Sequence, residues 1–370
     1  MTDHPQPFDL SRVKVLPLSR RKNLLQLEEV LVDPDSEPAP LDDAQARLVQ
    51  QAADDLVHAR EQGASAMLIY GAHLVKNGAA RIVDCLLREG RLTHLATNGA
   101  GAIHDWEFAW QGASGESVKA NVANGTFGIW DETATNIHIA ILAGALGGLG
   151  FGQSMGKFMG DDGANLPTES ELRQAIAASP ENHLSPARAE LLQTMIQQGL
   201  PAGTHSVAHR WRHGSMLACA YGHGIPATVH PGVGYDIISN HPIFNGAAIG
   251  RAAETDFKLF AGSVARLEGG VVLNVGSAIM GPQVFEKTLS CVNNVRLQAG
   301  QKVISGHTIY VVDIQDGGHW DWTQGEPSID HPAYYLRFCK SYSRMGGTMR
   351  YVQLDNVQFM HHLWHRLRTC

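Results

Sequence analysis

Early in the chain, apolar and polar positions alternate first as in a buried strand and then as in an amphipathic helix. The apolar run Met67–Tyr70 is short enough for a strand and is broken by Gly71. Val75–Arg88 follows with apolar residues at helical spacing, and a second apolar run, Leu92–Thr97, leads to the small-residue turn Asn98–Ala102. This order predicts a strand, a helix, a second strand and a glycine-rich turn, which together form a βαβ unit.

Comparable patterns recur along the rest of the chain. Further strands are predicted at Ile225–His230, Val271–Val275, Thr308–Ile314 and Arg350–Gln353. Helices are predicted at Leu41–Arg60, Thr168–Ala178, Ser185–Gln198, Gly246–Glu268, Pro282–Leu297, Pro332–Ser343 and Asp355–Leu367. Alternating strands and helices are typical of α/β proteins with a parallel sheet. We therefore predict a Rossmann-like parallel sheet with helices on both faces.

The first 60 residues differ from the rest in pattern. A short strand or extended arm is predicted at Phe8–Leu18, and the acidic, proline-rich connector Asp33–Pro40 separates it from the first long helix. We predict that residues 1–60 form an arm and a helix appended to an α/β core of residues 61–370.

Composition narrows the class of protein. Of the 370 residues, 44% are hydrophobic and 18% are charged, which is typical of a folded globular protein. The net charge of −7 argues against a general nucleic-acid-binding surface. The chain shows neither an apolar run of transmembrane length nor a signal-peptide core, so we expect no membrane partner. Five widely spaced cysteines without a C-x-x-C motif suit free thiols in a reducing cytoplasm.

The turns after the first two predicted strands are candidates for ligand binding. Ligands of parallel α/β sheets bind where the carboxyl ends of the strands meet such turns, and glycine lets backbone amides approach a phosphate. Neither the turn at Gly71 nor the turn Asn98–Ala102 spells the dinucleotide motif G-x-G-x-x-G. From these turns alone, a nucleotide site and an empty tight turn are equal alternatives.

Two later regions concentrate polar side chains after predicted strands. The loop after Ile225–His230 contains Asp236, His241 and Asn245. The acidic segment Asp313–Asp330 contains two tryptophans as well as its carboxylates. Carboxylates beside aromatic rings suit a cationic amine, through ion pairing and cation–π contact. The alternative for the acidic segment is a solvated loop.

Histidine and glycine also form conspicuous patterns. A helix would place His205, His209 and His213 on one face, where a zinc site is one interpretation. No carboxylate or cysteine lies among them, which favours surface or interface histidines, and we predict no metal. The glycine-dense segment Asn136–Met159 suits close helix packing, including packing against another subunit.

Several segments, in order and spacing, resemble deoxyhypusine synthase from about Leu68 to Leu367. IYGAHLVKNGAARIVDCLLREG and LTHLATNGAGAIHD resemble the family's first strand, its G-Y-T-S-N-L-I-S-S-G turn and its T-T-A-G-G-V-E-E-D turn. SMLACAYGHGIPATVHPGVGYDIISNHPIFNG resembles the family's segment that begins Y-W-A-Y-K-N-N-I-P. Asp236 falls on the aspartate of the S-L-G-D turn, and His241 and Asn245 fall on the histidine and asparagine of H-S-Y-K-N.

The resemblance continues to the carboxyl end. VVLNVGSAIMG resembles the family's strand and triple-glycine turn, and MRYVQLDNVQFMHHLWHRL resembles K-V-Y-A-D-A-S-L-V-F-P-L-L-V-A-E-T-F. Counting back from Tyr351, Lys340 falls at the spacing of the family's catalytic lysine. A lysine nucleophile must be unprotonated, which an apolar surround of Phe338, Cys339 and Trp320 would favour.

The resemblance implies an NAD-dependent transferase that forms a tetramer with NAD at subunit interfaces. The family removes a hydride from spermidine, passes the butylimine to the active-site lysine and then to a lysine of a protein acceptor. The cofactor-binding residues implied are Ala72, His73, Thr97, Asn98, Gly99, Asp236, Gly276 and Ser277. The catalytic residues implied are Lys340 as nucleophile or base and His241 and His104 for proton transfer. The substrate-binding residues implied are Asp316, Trp320, Asp321 and Asn245.

The chain also departs from the family pattern. Ala72-His73 replaces a Ser-Asn pair, and His104 replaces an acidic residue after the glycine turn. The amine-binding run Q-E-F-D-G-S-D-S-G is replaced by QDGGHWDWTQGEPSID. We therefore expect NAD to be kept and the substrate to have changed. The alternatives are an NAD-dependent oxidoreductase or lyase on a non-polyamine substrate, a non-catalytic NAD-binding protein and a metal hydrolase.

Overall fold

A computed structural model describes residues 4–368, and its centre is a six-stranded sheet. In chain order the strands of this sheet are β1 Ala66–Tyr70, β2 His94–Asn98, β3 Ala227–His230, β4 Val271–Val275, β5 Thr308–Asp313 and β6 Thr348–Gln353. All neighbouring strands are parallel, in the spatial order β6-β5-β4-β1-β2-β3. Two short antiparallel pairs lie outside it, Leu25–Gln26 with Ala113–Ser114 and Gly163–Leu166 with Gly203–Ser206.

The strand order is that of doubly wound dinucleotide-binding folds, 3-2-1-4-5-6. The direction of winding reverses between β1 and β4, which pair in register from Ala66 with Val271 to Tyr70 with Val275. In such sheets the crevice at the carboxyl ends of these two strands is where ligands bind. The predicted parallel α/β sheet is confirmed.

Helices cover the sheet and connect its strands. Their bounds are α1 Leu27–Val30, α2 Asp43–Glu61, α3 Ala72–Lys76, α4 Ala80–Arg88, α5 Gly99–Gln111, α6 Val118–Ala123, α7 Asp131–Ala145, α8 Phe151–Gly160, α9 Glu169–Ala178, α10 Ser185–Gln198, α11 Met216–Gly222, α12 Gly246–Val264, α13 Met280–Gln298, α14 Arg337–Ser343 and α15 Asn356–Leu367. Short 3-10 helices are Leu10–Arg12, Leu18–Arg20, Arg212–Gly214, Ile237–Asn240, Trp322–Gln324 and Pro332–Tyr335.

The alternation of side chains along β1 shows why both faces are covered. Leu68 and Tyr70 belong to one core with α2, α4, α5 and α15, whereas Met67 and Ile69 belong to a second core with α12, α13 and α14. Successive strand residues point to opposite faces, so a strand apolar at every position needs helices on both sides. The continuous apolar runs of the sequence reflect this double burial.

Two predicted elements are divided or reassigned. The helix predicted at Val75–Arg88 is split into α3 and α4 at Gly78, where φ is +80° and a side chain would overlap the carbonyl oxygen of Val30. The predicted turn Asn98–Ala102 is the first turn of α5, because the Asn98 side chain accepts a hydrogen bond of 2.8 Å from the Gly101 N–H and caps the helix.

The helix that would place the three histidines on one face does not form. His205 lies in the strand Gly203–Ser206, whereas His213 lies in a separate 3-10 helix. Between them Val207 N–H is bonded to Asp162 O and a turn follows at 210–211, so the three histidines do not share a helix face. His209 is buried, which corrects the expectation of a surface position for that residue. Within residues 4–368, no group of three His, Cys, Asp or Glu side chains has a geometry that could hold a metal ion.

The predicted helix Pro332–Ser343 is also divided. Pro332–Tyr335 is a 3-10 helix and α14 starts at Arg337, because Leu336 between them has a non-helical ψ of 79°. The glycine-dense segment forms α7 and α8, and a side chain on Gly152 would overlap the backbone of Ala227 in β3. Glycine there serves close packing of a helix on a strand of the same chain.

The amino-terminal region packs on the core that contains Leu68 and Tyr70. Leu18 and Leu27 are buried there, and α2 buries Val49 and Leu56 against the same face. The division between appendage and core at residue 60 stays a prediction. Among the described residues, no helix is both long enough and apolar enough to span a membrane.

Candidate active site at the carboxyl edge of the sheet

The ends of β1 and β4 meet in a contact that only glycine permits. The N–H of Gly71 donates to Val275 O at 3.2 Å, and a Cβ on Gly71 would overlap the carbonyl oxygen of Gly276. Gly276 has φ +64°, and a Cβ there would overlap the amide nitrogen of Asn356. Backbone therefore lines the crevice at the point where the winding reverses, as close approach of a ligand would require.

The end of β2 carries a carboxylate that comes from a distant loop. Asp236 is 5% exposed and accepts a hydrogen bond of 2.7 Å from the Gly232 N–H. A side chain on Gly99 would overlap this carboxylate, so glycine in the first turn of α5 makes room for it. Burial raises the pKa of Asp236. The neighbouring Thr97 hydroxyl donates to Tyr70 O at 3.0 Å and ties β2 to β1.

The other predicted cofactor residues flank the same crevice. Ala72 is half-buried and His73 is exposed in the first turn of α3, directly after β1. Ser277 is buried after β4, and its hydroxyl accepts a hydrogen bond of 3.1 Å from Gly281 N–H. The structure therefore brings the predicted cofactor residues to the ends of three adjacent strands.

Asn356 at the start of α15 is a residue of the crevice that the sequence interpretation missed. Its amide lies against Gly276, it is 9% exposed, and its Oδ1 has no hydrogen-bond partner among the described residues. A buried acceptor without a partner is costly unless a ligand or water meets it. The available signal was a polar residue close after a predicted parallel strand.

His104 on α5 is the last residue of a buried hydrogen-bond network. Its Nδ1 lies 2.7 Å from the Ser114 hydroxyl, which donates to Glu107 at 2.5 Å. Glu107 is bound by both terminal guanidinium nitrogens of Arg21, at 2.7 and 2.8 Å. Burial lowers the pKa of His104 to about 4. Sequence reasoning missed Arg21, Glu107 and Ser114; the one available signal was Glu107 three residues after His104 on the same helix face.

Asp105, the acidic residue after His104, has a structural role. Its carboxylate accepts hydrogen bonds from the Ser215 hydroxyl and, at 2.7 Å, from the Met216 N–H at the start of α11. Burial raises its pKa to about 7. The side chain therefore connects two helices inside the core instead of facing the crevice.

His241 directly follows the 3-10 helix Ile237–Asn240, and Asn245 directly precedes α12. His241 is 3% exposed, its Nδ1 accepts from Ile243 N–H at 3.3 Å, and its Nε2 is 3.9 Å from Asp131 at the start of α7. Burial lowers the pKa of His241 to about 4. Asn245 caps α12 by accepting from two backbone N–H groups and donates to Thr194 Oγ1 at 3.1 Å. Its side-chain amide is thereby used within the fold.

Lys340 lies on α14 beside the second core. Its Nζ is 3.5 Å from the centroid of the Tyr334 ring, and the adjacent Phe338 and Cys339 are buried. Trp320 is half-buried nearby in sequence, with its indole N–H donating to Gly325 O at 2.9 Å. The aromatic ring against the lysine is thus that of Tyr334, and the surround of Phe338, Cys339 and Trp320 stays a prediction.

The two predicted amine-binding carboxylates are exposed. Each accepts hydrogen bonds from residues two positions further along its own loop. Asp316 accepts from Gly318 N–H at 2.6 Å. Asp321 accepts from the Thr323 N–H at 3.1 Å and from the Thr323 hydroxyl at 2.6 Å. Within residues 4–368, no hydrogen bond, ion pair or ring contact joins Lys340 to either carboxylate or joins any two of Lys340, His241 and His104. The structure groups the predicted cofactor residues and, among the described residues, shows no direct contact between the predicted catalytic ones.

Comparison with known proteins gives distant likenesses. No family model matches the chain, and no curated protein matches it. In fold it is similar to unliganded AgrE, with 15% identity over 90% of this chain and 34% of that one and a TM-score of 0.44. It is similar to a candidate LOR/SDH protein from Methanococcus maripaludis S2, with 12% identity over 96% of this chain and 76% of that one and a TM-score of 0.41.

A candidate deoxyhypusine synthase from Entamoeba histolytica is also among the similar structures. The identity is 10% over 96% of this chain and 97% of that one, with a TM-score of 0.38. The chain spans about a third of the length of AgrE and of a cyanobacterial arginine dihydrolase, ArgZ, to which it is 14% identical over 87% of its length with a TM-score of 0.40. These likenesses are too distant to assign an activity.

Proposed function

We propose that this protein is an NAD-dependent enzyme of the deoxyhypusine synthase type that acts on an amine. The observation that carries this is the crevice where the winding reverses, with glycine backbone at the ends of β1 and β4 and a buried carboxylate at the end of β2. In folds of this strand order, an acidic side chain after the second strand binds the ribose hydroxyls of the dinucleotide. Asp236 reaches that place from the loop after β3.

The residues present fit a dinucleotide. The contact between Gly71 and Gly276 excludes side chains from the crevice floor, and Asn356 offers an acceptor that the fold leaves unused. Asp236 would hold ribose hydroxyls, and the turn at Gly71, with Ala72 and His73, would face the pyrophosphate. When bound, NAD would supply a hydride acceptor for the carbon next to the substrate nitrogen.

Lys340 would act as the nucleophile on the oxidised substrate. Removal of a hydride from the carbon and a proton from the nitrogen of an amine gives an imine. Attack by the lysine amine on the imine carbon would release the smaller amine and leave the alkyl group joined to Nζ as an imine, which borohydride can reduce. A second amine, on a small molecule or on a protein, would then take the group from the lysine. The cationic substrate would be recognised by Asp316, Asp321 and Trp320. The family resemblance adds Asn245 to these substrate-binding residues.

We also propose a homotetramer in the cytoplasm, with the crevice covered by a neighbouring subunit. Large apolar side chains are exposed on the loops after β3, β4 and β5, including Tyr235 at 74%, Ile279 at 72% and Ile314 at 70%. Exposed apolar side chains from several loops of one sheet edge are typical of a surface that binds another protein. Sedimentation velocity at increasing protein concentration would detect the assembly.

The lysine mechanism is tested by trapping. The purified chain is incubated with NAD and a panel of polyamines, reduced with borohydride, digested and analysed by mass spectrometry. We expect a mass increase on the peptide that contains Lys340, dependent on both NAD and amine. The variant Lys340→Ala should lose the adduct and turnover, whereas the exposed control Lys302→Ala should keep both. Full turnover by Lys340→Ala would contradict the lysine mechanism.

A second candidate function is an NAD-dependent oxidoreductase or lyase on a substrate other than a polyamine, with His104 as the base. It is favoured by the engagement of Asp316 and Asp321 in local turns, which leaves no carboxylate of that loop held towards a cationic substrate. This function predicts NADH release with hydroxy acids or sugars and no adduct on Lys340. A protein that only binds NAD would show NAD-dependent thermal stabilisation without turnover of any substrate.

A further inference from the structure

The carboxylate of Glu107 is saturated with hydrogen-bond donors. Its Oε1 accepts from Arg21 at 2.7 Å and from the Thr133 hydroxyl at 3.0 Å. Its Oε2 accepts from Arg21 at 2.8 Å and from the Ser114 hydroxyl at 2.5 Å. Four donors fill the four lone-pair sites of an ionised carboxylate, and the bonds to Arg21 hold the pKa of Glu107 below its ordinary value despite burial. Glu107 is therefore an acceptor only.

This saturation decides the direction of the next hydrogen bond. A serine hydroxyl has one proton, and that of Ser114 is given to Glu107. The Ser114 oxygen can then only accept in its contact of 2.7 Å with His104 Nδ1. The imidazole must donate, so its proton lies on Nδ1. In the neutral ring Nε2 is consequently an unprotonated acceptor.

We propose that Arg21, Glu107 and Ser114 form a positioning relay that fixes the tautomer and orientation of His104, so that its Nε2 serves as the proton acceptor beside the crevice. The participation of Nε2 in catalysis rests on the function proposed above. The tautomer itself depends only on this chain. No residue that the structure describes bonds to Nε2, and the ring is partly exposed.

Burial and the charged groups around His104 keep the resting ring neutral. Burial is the largest influence on its pKa; Glu107 opposes it, whereas Lys76, Arg21 and His73 act with it. Lys76 and His73 belong to α3, the short helix that leaves the Gly71 turn, so the ring lies within electrostatic reach of that helix. With a pKa of about 4 the imidazole is neutral at pH 7, which is the form that carries one proton on Nδ1 and leaves Nε2 as an acceptor.

In the proposed oxidation the substrate loses one proton and one hydride. An N–H or O–H proton of the substrate would pass to Nε2, and NAD, when bound, would supply the acceptor for the hydride of the adjacent carbon. The imidazolium keeps its Nδ1 proton on Ser114, and Glu107 remains ionised beyond that serine and stabilises the new charge. This arrangement has the logic of a catalytic histidine oriented by a carboxylate, with a serine inserted between them.

The relay is tested by measuring which ring nitrogen of His104 carries the proton. Long-range ¹H–¹⁵N spectra of the full chain labelled in histidine report which nitrogen carries the proton, and His104→Gln identifies the signals. At pH 7 we expect His104 to be protonated on Nδ1, with Ser114→Thr unchanged and Ser114→Ala shifted towards the Nε2–H form. The matched control is Ser154→Ala, because the Ser154 hydroxyl is also buried but has no partner among the described residues. A wild-type ring protonated on Nε2, or an unchanged ring in Ser114→Ala, would overturn the relay.

The catalytic part has a separate readout. General base catalysis contributes about 10²–10⁴-fold, so loss of the acceptor tautomer should lower kcat of Ser114→Ala by about 10²-fold with little change in KM. Ser114→Thr should restore most of the rate, and the melting temperatures of the two variants show whether both are folded. Unchanged turnover in a folded Ser114→Ala with a shifted tautomer would contradict the positioning role. If no NAD-dependent turnover is found with any substrate, the proposed function fails while the spectra still decide the relay.

Discussion

Two bidentate Arg–Glu pairs among the described residues lie on different sides of the sheet, and they differ in burial and in what they connect. Arg21 and Glu107 are both about 1% exposed at the side chain, on the β1–β2–β3 side. Arg344 and Glu326 are 51% and 29% exposed, on the β4–β5–β6 side. The buried pair continues through Ser114 to His104, whereas the exposed pair ties a loop to α14.

The difference extends to the candidate site. On the first side, Asp236 is buried, and Thr97 and Glu107 bond across elements that are distant in sequence. On the second side, Asp316 and Asp321 are exposed and bond to near neighbours in the chain. A preorganised half suits a fixed cofactor and a fixed base. An exposed loop whose hydrogen bonds lie within the loop suits a part of the site that changes when the substrate changes.

The largest effect is expected from breaking the buried pair. Glu107→Ala leaves the guanidinium of Arg21 buried without its carboxylate, with only Asn23 and the Trp130 ring as partners, which should lower the free energy of unfolding by about 3–5 kcal/mol. Glu326→Ala is the matched control, and it should change the urea midpoint little because its pair is solvated. Chemical denaturation of both variants measures the contrast. Equal midpoints would show that the two halves do not differ in the way their pairs are held.

The next effect concerns the glycine contact at the crevice. Gly71→Ala places a methyl group against the oxygen of Gly276 and should cost about 1–3 kcal/mol, with a loss of NAD-dependent stabilisation. Gly262→Ala in the interior of α12 is the control. It meets no atom within 4 Å and should stabilise by up to about 1 kcal/mol. A Gly71→Ala variant as stable as wild type would contradict the close approach of β1 and β4.

A pH series separates the buried carboxylates from the buried histidines. Burial raises the pKa of Asp256 to about 7, so between its ordinary value and pH 7 the folded state binds more protons than the unfolded state, and stability falls as pH rises. Burial lowers the pKa of His104 and His241 to about 4, so their contribution has the opposite sign and is lost as pH falls from 6.5 to 4.

Asp256→Asn should remove only the contribution that the buried carboxylate makes to the pH dependence of stability. An Asn oxygen can still accept from the N–H groups of Gly152 and Val229, which Asp256 binds at 2.9 and 2.7 Å. The variant should therefore gain stability relative to wild type as pH rises from about 4 to about 8, the range around the raised pKa. Urea titrations at several pH values measure this gain. Parallel curves for the two proteins would show that Asp256 is not neutral in the fold.

The smallest effect is expected in the exposed loop. Asp321→Asn keeps the acceptor that caps Trp322–Gln324, because Asn and Asp are equivalent at that position, so stability should be unchanged. If a cationic substrate lies there, KM should rise several-fold with the same kcat. Equal kinetics for the variant and wild type would remove Asp321 from the substrate site and would leave the amine to be recognised elsewhere.

The elements and their local ends could be predicted from the sequence. Apolar runs marked the strands, as at Val271–Val275, and polar caps marked helix starts, as at Asp355 before α15. These signals are local, because periodicity and capping act over a few residues. The same locality explains the errors: nothing near Gly78 shows that its neighbour is Val30, and nothing near His205 shows that its strand pairs with Gly163–Leu166.

Which residues meet was settled only when the chain folded. Asp236 reaches Gly99 from a loop far along the chain, Arg21 reaches Glu107 across 86 residues, and Asn356 covers Gly276. Such contacts depend on strand order and on the path of each connection, and they have no characteristic spacing in the sequence. The sequence therefore indicated a site at the turns after β1 and β2. The folded sheet supplied the carboxylate, the amide and the guanidinium that complete it.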